Sequence, residues 1–280
     1  MDKFAIGSRN MPFNFDTDLL IEDWTRRREI CEFDGHDSNF SDCLEEASGQ
    51  ENVLPKLTRR SHKMGVTNLW QILSPVQQHK PLSSLKGQTV AIDLSIWVCE
   101  NQCVKQMQGV VTRPYLRNLY FRISCLLQLG INLIFAVEGE APDLKHETMS
   151  RRQEVQYPGK RKGPPNKKKS RSHFNAKLRE CCEMLDYLGV PYIQSKGEAE
   201  ALCGLLNAAG IVDGCITNDG DVFLYGAKTV FRNFSVTSKD PQVEIYSICD
   251  IEQKLDLNRE KMVALALLVG CDYVPKGVQE

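Results

Sequence analysis

The chain has 280 residues, of which 42% are hydrophobic and 25% charged, and its formal net charge is −1 at neutral pH. This is length and apolar content enough for a real core in one large domain or two small ones. No apolar run approaches the length of a membrane span, the N-terminus lacks the apolar stretch of a secretory signal, and the 11 cysteines are scattered without zinc-ligand spacing, so they read as reduced thiols.

The near-neutral total hides a segregation of sign along the chain. In residues 1–63, acids cluster between Asp16 and Asp42 and again from Glu45 to Glu51, and polar turn formers fill Phe33 to Gln50. Sustained periodicity is missing apart from a short helical pattern around Asp18 to Ile30, so this stretch is expected to be a disordered acidic extension. Order is expected to begin at Met64. MGVTNLWQIL predicts a capped helix start, with Thr67 or Asn68 ahead of Leu69, Trp70, Ile72 and Leu73. TVAID, Thr89 to Asp93, is a short buried strand ending on an acid. Pro114 to Leu129 predicts a helix with proline in its first turn, an apolar stripe through Leu116, Leu119, Tyr120, Ile123, Leu126 and Leu127, and Gly130 closing it. Ile131 to Val137 is a second buried strand, and Glu138 follows it directly.

Between Arg151 and Arg179 the sequence turns strongly basic. Lys160, Arg161, Lys162, Lys167, Lys168, Lys169 and Arg171 lie there, and Glu154 is the only acid. The interspersed prolines and glycines predict a flexible cationic loop, suited to salt-sensitive, sequence-independent contact with a phosphate backbone. The same KRK and KKK clusters suit a nuclear-import signal, and the two readings are compatible. Phe174 to Leu188 then predicts a third helix, ended by Gly189 and Pro191.

The stretch Gly197 to Tyr225 carries two carboxylate pairs, Glu198/Glu200 and Asp219/Asp221. On a regular helix, residues two apart diverge by roughly 200°, so the glutamates converge only if Glu198 precedes the first full turn, as Gly197 permits. Asp219 and Asp221 flank Gly220 just beyond the apolar run Val212 to Ile216, and an i, i+2 pair in extended chain projects to one side. Either pair alone is equally consistent with a solvated turn. An EF-hand reading fails, because Cys215 would stand at its first ligand position. Four acids brought to one place repel one another unless cations lie between them, and oxygen-only ligands suit Mg²⁺ or Mn²⁺. Downstream, Thr229 to Phe234 and Val243 to Tyr246 read as strands, of a β-hairpin or of a sheet edge, and Arg259 to Val269 as a helix leading to Asp272. Strands alternating with helices predict an α/β fold with a mostly parallel central sheet covered on both faces. Asp93, Glu138 and Asp219 would each fall at a strand's carboxyl end, where such sheets open their ligand crevice.

These residues stand in the motifs MGVTNLW, TVAIDLSIWVCE, LIFAVEGEAPDLK, RSHFNAKLREC, GEAEALC, GCITNDGDVFLYGA and GCDYVPKGV. Through them, Met64 to Asp272 resembles the PIN-like catalytic core of the XPG/flap-endonuclease family of structure-selective nucleases, and within it the Gen-type branch of Holliday-junction resolvases. The resemblance implies an N-terminal nuclease region at 64–159, a basic linker and helix start at 160–184, and an internal nuclease region at 185–272. It also implies that Asp93, Glu138, Glu198, Glu200, Asp219, Asp221 and Asp272 hold two Mg²⁺ ions, with Mn²⁺ able to substitute. Lys145 and Arg152 match the basic pair that approaches the scissile phosphate, and Gly65 the glycine where the core's start passes close to the site and the DNA. The implied partners are branched DNA, namely four-way junctions and 5′ flaps, and a second copy of the chain on a junction. The implied setting is repair and recombination in the nucleus, with no membrane association. Two departures mark the branch: Cys99 stands where flap endonucleases carry a base-stacking tyrosine, and Glu138 replaces an aspartate. The core starts at residue 64, and the sequence stops before the family's helix–two-turn–helix module. Weakened DNA binding is therefore expected. The alternative is a truncated, weakly active or inactive form with a DNA-binding or regulatory role.

Overall fold

In the computed structural model the described residues are 65–66, 68–102, 112–140, 142, 145, 167–234, 240–274 and 277, together with two upstream strands. In chain order the strands are β1 (Lys3–Ile6), β2 (Arg9–Pro12), β3 (Gln78–Pro81), β4 (Thr89–Asp93), β5 (Asn132–Val137), β6 (Tyr192–Gln194), β7 (Gly214–Ile216), β8 (Thr229–Arg232) and β9 (Gln242–Ser247). The helices are α1 (Leu69–Leu73), α2 (Leu94–Gln102), α3 (Pro114–Gln128), α4 (Lys167–Leu188), α5 (Ala199–Ala208), α6 (Ile248–Leu255) and α7 (Arg259–Val269).

One sheet runs in the order β2-β1-β6-β5-β4-β7-β8-β9-β3. Its centre, β6-β5-β4-β7-β8, is parallel throughout, while the strands outside it pair antiparallel. β4 is buried at every position, as a strand covered on both faces must be. Its side chains alternate between two cores. Val90 and Ile92 join Leu133, Phe135, Leu119 and Ile123 on one face, and Ala91 joins Ile134, Ala136, Cys215 and Leu202 on the other. Strands from 64–159 and from 185–272 therefore interleave in a single sheet.

Several local expectations need correction. β1 and β2 form an antiparallel hairpin that meets β6 through Ile6 and Ile193, so part of the stretch expected to lack structure is strand; the rest of residues 1–63 lies outside the described residues. Asn68 occupies the α1 N-cap in left-handed backbone, φ 61°, with no side-chain cap hydrogen bond. On α3, Tyr120 and Leu127 face solvent while Tyr115 turns inward, because the sheet and α4 cover a narrower arc than the apolar stripe spans. α4 begins at Lys167, a full two turns before the predicted Phe174, since Pro165 is the last helix breaker in that stretch. The bases from Lys167 to Arg171 thus sit on helical backbone and not in a loop.

Candidate metal-dependent active site

The chain leaves β4 for β5 and β6 on one side and returns to β7 and β8 on the other. The carboxyl end of β4 is thus the switch point at which an α/β sheet opens a crevice. Asp93 is the last residue of β4, Glu138 follows β5, Glu198 and Glu200 open α5 after β6, and Asp219 and Asp221 follow β7. All are drawn to one edge by strand direction alone.

Asp93 Oδ1 accepts the N–H groups of Ser95 at 2.7 Å and Ile96 at 3.4 Å, so it also caps the turn into α2. Burial, then the charges of Glu138 and Asp219, push its carboxyl up to about 7, against the pull of those two donors. Glu138 Oε2 accepts the N–H of Ala199 at 3.0 Å, which ties the end of β5 to the positive end of α5.

Glu198 is the N-cap of α5, with extended backbone at φ −73° and ψ 136°, and so stands outside the first turn as convergence with Glu200 requires. It is ion-paired to the Lys145 ammonium, which also lies 3.3 Å from Asp272 Oδ2. The hydroxyls of Tyr225 and Tyr273 donate to Glu198 Oε2 at 2.9 and 2.8 Å. Burial would raise the Glu198 pKa, but Lys145 and the two hydroxyls outweigh it and hold the group ionised below the usual glutamate range. Burial likewise opposes charge on Lys145, and Glu198 and Asp272 more than restore it. Burial and the neighbouring carboxylate push the Tyr273 hydroxyl up to about 12.

Glu200 takes a hydrogen bond from Thr217 Oγ1 at 3.2 Å. Burial, then Asp219, Asp93 and Asp221, raise its pKa well above the ordinary value. Asp219 and Asp221 meet by a different geometry from the extended pair expected. Asp219 caps a 3-10 turn, Gly220–Phe223, its Oδ1 accepting the N–H of Asp221 at 3.1 Å. Asp221 Oδ1 accepts the N–H of Val66 at 2.8 Å. Burial, then Asp219 and Asp272, push Asp221 up to about 7.

Gly65 adopts φ +71°, and a Cβ there would overlap Asp219 Oδ1 and stand 2.7 Å from Asp221 Oδ1. The start of the core is therefore laid directly against the two aspartates. Gly65→Ala is expected to reduce Tm, since left-handed backbone costs roughly 1–2 kcal/mol for a residue with a Cβ and the aspartates must also move. Paired melting curves of parent and variant check this.

Six of the seven acids are buried, Glu138 and Lys145 are half-buried beside them, and their charges act on one another. Among the described residues, no three of these side chains are closed around a point as a finished metal cage. The donor set nevertheless fits a hard divalent cation. Every ligand atom is oxygen, Asp93, Glu200 and Asp221 are driven toward protonation by burial and by neighbouring carboxylates of the cluster, and a cation, the Lys145 ammonium, is already seated between Glu198 and Asp272. Arg152, Lys160, Arg161 and Lys162 lie outside the described residues, and Lys167, Lys168, Lys169 and Arg171 are described only as the backbone of α4. Tyr225, Tyr273 and Thr217 were not anticipated as parts of the site. Both tyrosines stand in the quoted motifs, but their hydroxyls gain a role only where separate chain segments meet.

An α/β sheet that carries carboxylates from four successive strands at one edge places an acid cluster where such sheets open their ligand crevice. The XPG N-terminal domain matches residues 64–158 and the XPG I-region residues 189–272, and the chain belongs to the XPG family of nucleases. It is 56% identical over 219 residues to Flap endonuclease GEN homolog 1 of Mus musculus, an alignment covering 77% of this chain and 24% of that protein. It is also similar to human GEN1 crystallised with Holliday junction DNA, at 53% identity and TM-score 0.67 over 77% of this chain and 52% of that one. A third likeness is to a Holliday junction-resolving GEN1 bound to product DNA and Mg²⁺, at 26% identity and TM-score 0.54 over 77% of this chain and 48% of that one. The chain thus spans about a quarter of the length of the curated relative.

Proposed function

We propose that the chain is a Mg²⁺-dependent, structure-selective DNA endonuclease that cuts Holliday junctions and 5′ flaps in nuclear repair and recombination. The observation that carries this reading is the convergence of Asp93, Glu138, Glu198, Glu200, Asp219, Asp221 and Asp272 on one sheet edge with Lys145 among them. Those seven acids would hold two Mg²⁺ ions, which when bound supply Lewis-acid polarisation of the phosphate and a nucleophilic water at neutral pH. The chain's own part is to keep the carboxylates dry and close, and to hold positive charge where phosphodiester cleavage develops negative charge. Lys145 is fixed for that role by Glu198 and Asp272, and the two tyrosine hydroxyls fix Glu198 in turn. Arg152 and the bases Lys160, Arg161, Lys162, Lys167, Lys168, Lys169 and Arg171 would meet the DNA backbone, and a second copy of the chain would join on a four-way junction.

The test is cleavage of end-labelled junctions and 5′ flaps at low salt with protein in excess, in Mg²⁺, Mn²⁺ or EDTA, with Asp93→Asn as the control for contaminating nuclease. Metal-dependent nicks that a DNA ligase can reseal support the reading, because they carry a 5′-phosphate and a 3′-hydroxyl. Intact substrate under every metal condition overturns it. Lys145→Met is expected to lower the cleavage rate about a hundredfold, the scale of losing one group that stabilises developing charge. Because it leaves Glu198 buried without its ammonium, the variant should also shift the low-pH limb of the rate profile upward.

A further inference from the structure

The start of the core, MGVTNLW, is laid along the turn that carries Asp219 and Asp221. Gly65 lies against both aspartates, and the Val66 N–H donates to Asp221. Leu69 closes over Gly220, where a Cβ would stand 2.8 Å from the leucine Cδ2. Trp70 donates its indole N–H to the carbonyl of Asn218 at 2.9 Å. That last contact fixes a backbone group directly ahead of a candidate metal ligand.

The carbonyl belongs to the peptide that joins Asn218 to Asp219, and the other edge of the same peptide is held too. The Asp219 N–H donates to Thr217 Oγ1 at 3.0 Å, and the Thr217 hydroxyl donates its own proton to Glu200 Oε1 at 3.2 Å. A peptide group is a rigid plane, so hydrogen bonds at both edges stop its rotation. They hold Asp219 at φ −90°, and with it the direction in which the carboxylate leaves the chain. The indole is clamped in turn. The Tyr246 ring lies 4.9 Å from it with a 57° tilt, Phe223 meets it edge-on at 6.2 Å, and the Arg232 guanidinium sits 4.5 Å from its ring centre. Glu244 fixes Arg232 through an ion pair at 3.0 Å. Arg232 and Tyr246 stand on the paired strands β8 and β9, so the sheet backs the indole and the indole backs the Asp219 turn.

We propose that Trp70 and Thr217 are positioning residues for the divalent-ion site. They grip the peptide between Asn218 and Asp219 from its two edges and thereby set how tightly the acids hold metal. The proposal rests on the nuclease reading, and it gives the MGVTNLW segment a task in that reading beyond making room at Gly65.

The experiment titrates Mn²⁺ calorimetrically into the metal-free full chain, with no DNA present. Trp70→Phe keeps an aromatic ring and loses the N–H, and Thr217→Val keeps the shape and loses the hydroxyl. Each should weaken Mn²⁺ binding about tenfold, the scale of losing a group that orients a metal ligand. Because both act on one peptide, the double variant should weaken it by clearly less than the roughly hundredfold product of the singles. Leu126→Ala, a cut in the core beneath α3, should lower Tm and keep the parent's Mn²⁺ affinity. Melting curves in EDTA identify a single variant that fails to fold, in which case the other carries the test. Singles at the parent's affinity, a double variant at the full product, or a loss shared by Leu126→Ala each overturn the proposal. A parent that takes up no Mn²⁺ refutes the nuclease reading and the clamp with it. A parent that binds Mn²⁺ beside unchanged singles refutes the clamp alone.

Discussion

Asp219→Asn is expected to lower metal-supported cleavage about a thousandfold while leaving a folded protein whose Tm is no lower than the parent's. Losing one group that stabilises developing charge in a preorganised site costs 10²–10³-fold, and Asp219 serves the whole cluster. Its charge is among the causes that raise Asp93, Glu200 and Asp221. Asparagine keeps an Oδ1 acceptor for the N–H of Asp221, so the cap of the 3-10 turn survives. It removes one buried charge from a group of mutually repelling ones, so the fold is relieved and not injured. Cleavage rates and melting curves in EDTA separate the two effects. Stabilisation by Mg²⁺, clear in the parent, should shrink in the variant. Near-parental cleavage by Asp219→Asn, or its collapse on folding, would each show that the cluster works otherwise.

Without divalent metal, the parent should lose stability as pH rises from about 5 to 8, with Tm falling by roughly 5 °C or more. Asp93 and Asp221 are both raised to about 7 in the fold, burial being the largest cause in each. Between the ordinary carboxylate pKa and about 7 the folded state therefore holds protons that the unfolded chain has already released. Native protein binding more protons means stability that is full at the acid end of this window and lost as pH climbs through it. Glu198 is shifted downward and works the other way, but its contribution is lost only as pH falls below the ordinary range. Mg²⁺ should recover the lost stability at pH 8 and do little at pH 5, because it competes with protons for the same oxygens. A Tm in EDTA that is flat or rising from pH 5 to 8 would sink the account of a repelling, buried cluster.

Much of the fold was legible because burial leaves a period in the chain. The hydrophobic runs Thr89 to Asp93 and Ile131 to Val137 became β4 and β5 almost to the residue, and Arg259 to Val269 became α7. β3 and β6 were missed for the same reason in reverse, whereas α6 was overlooked although Ile248, Ile251 and Leu255 recur at helical spacing. QHKP carries almost no apolar signal and is held as an edge strand by pairing with β9, and β6 is three residues long. The acids of the site were legible as motifs, and Glu198 sits outside its helix as the Gly197 junction allowed. How Asp219 and Asp221 meet was not legible, since an i, i+2 pair converges equally well across extended chain or by one residue capping a turn that contains the other.

The sequence by itself determined where the central buried strands run, which of them carry an acid at their end, and that those acids are of the type that binds hard cations. Each of these follows from local periodicity and side-chain chemistry. Only the tertiary structure decided that Gly65 lies against Asp219, that Lys145 neutralises Glu198 and Asp272, and that Tyr225 and Tyr273 share one carboxylate oxygen. Those contacts join residues dozens to more than 150 positions apart. They depend on the order in which the strands enter the sheet, which no local pattern along the chain encodes.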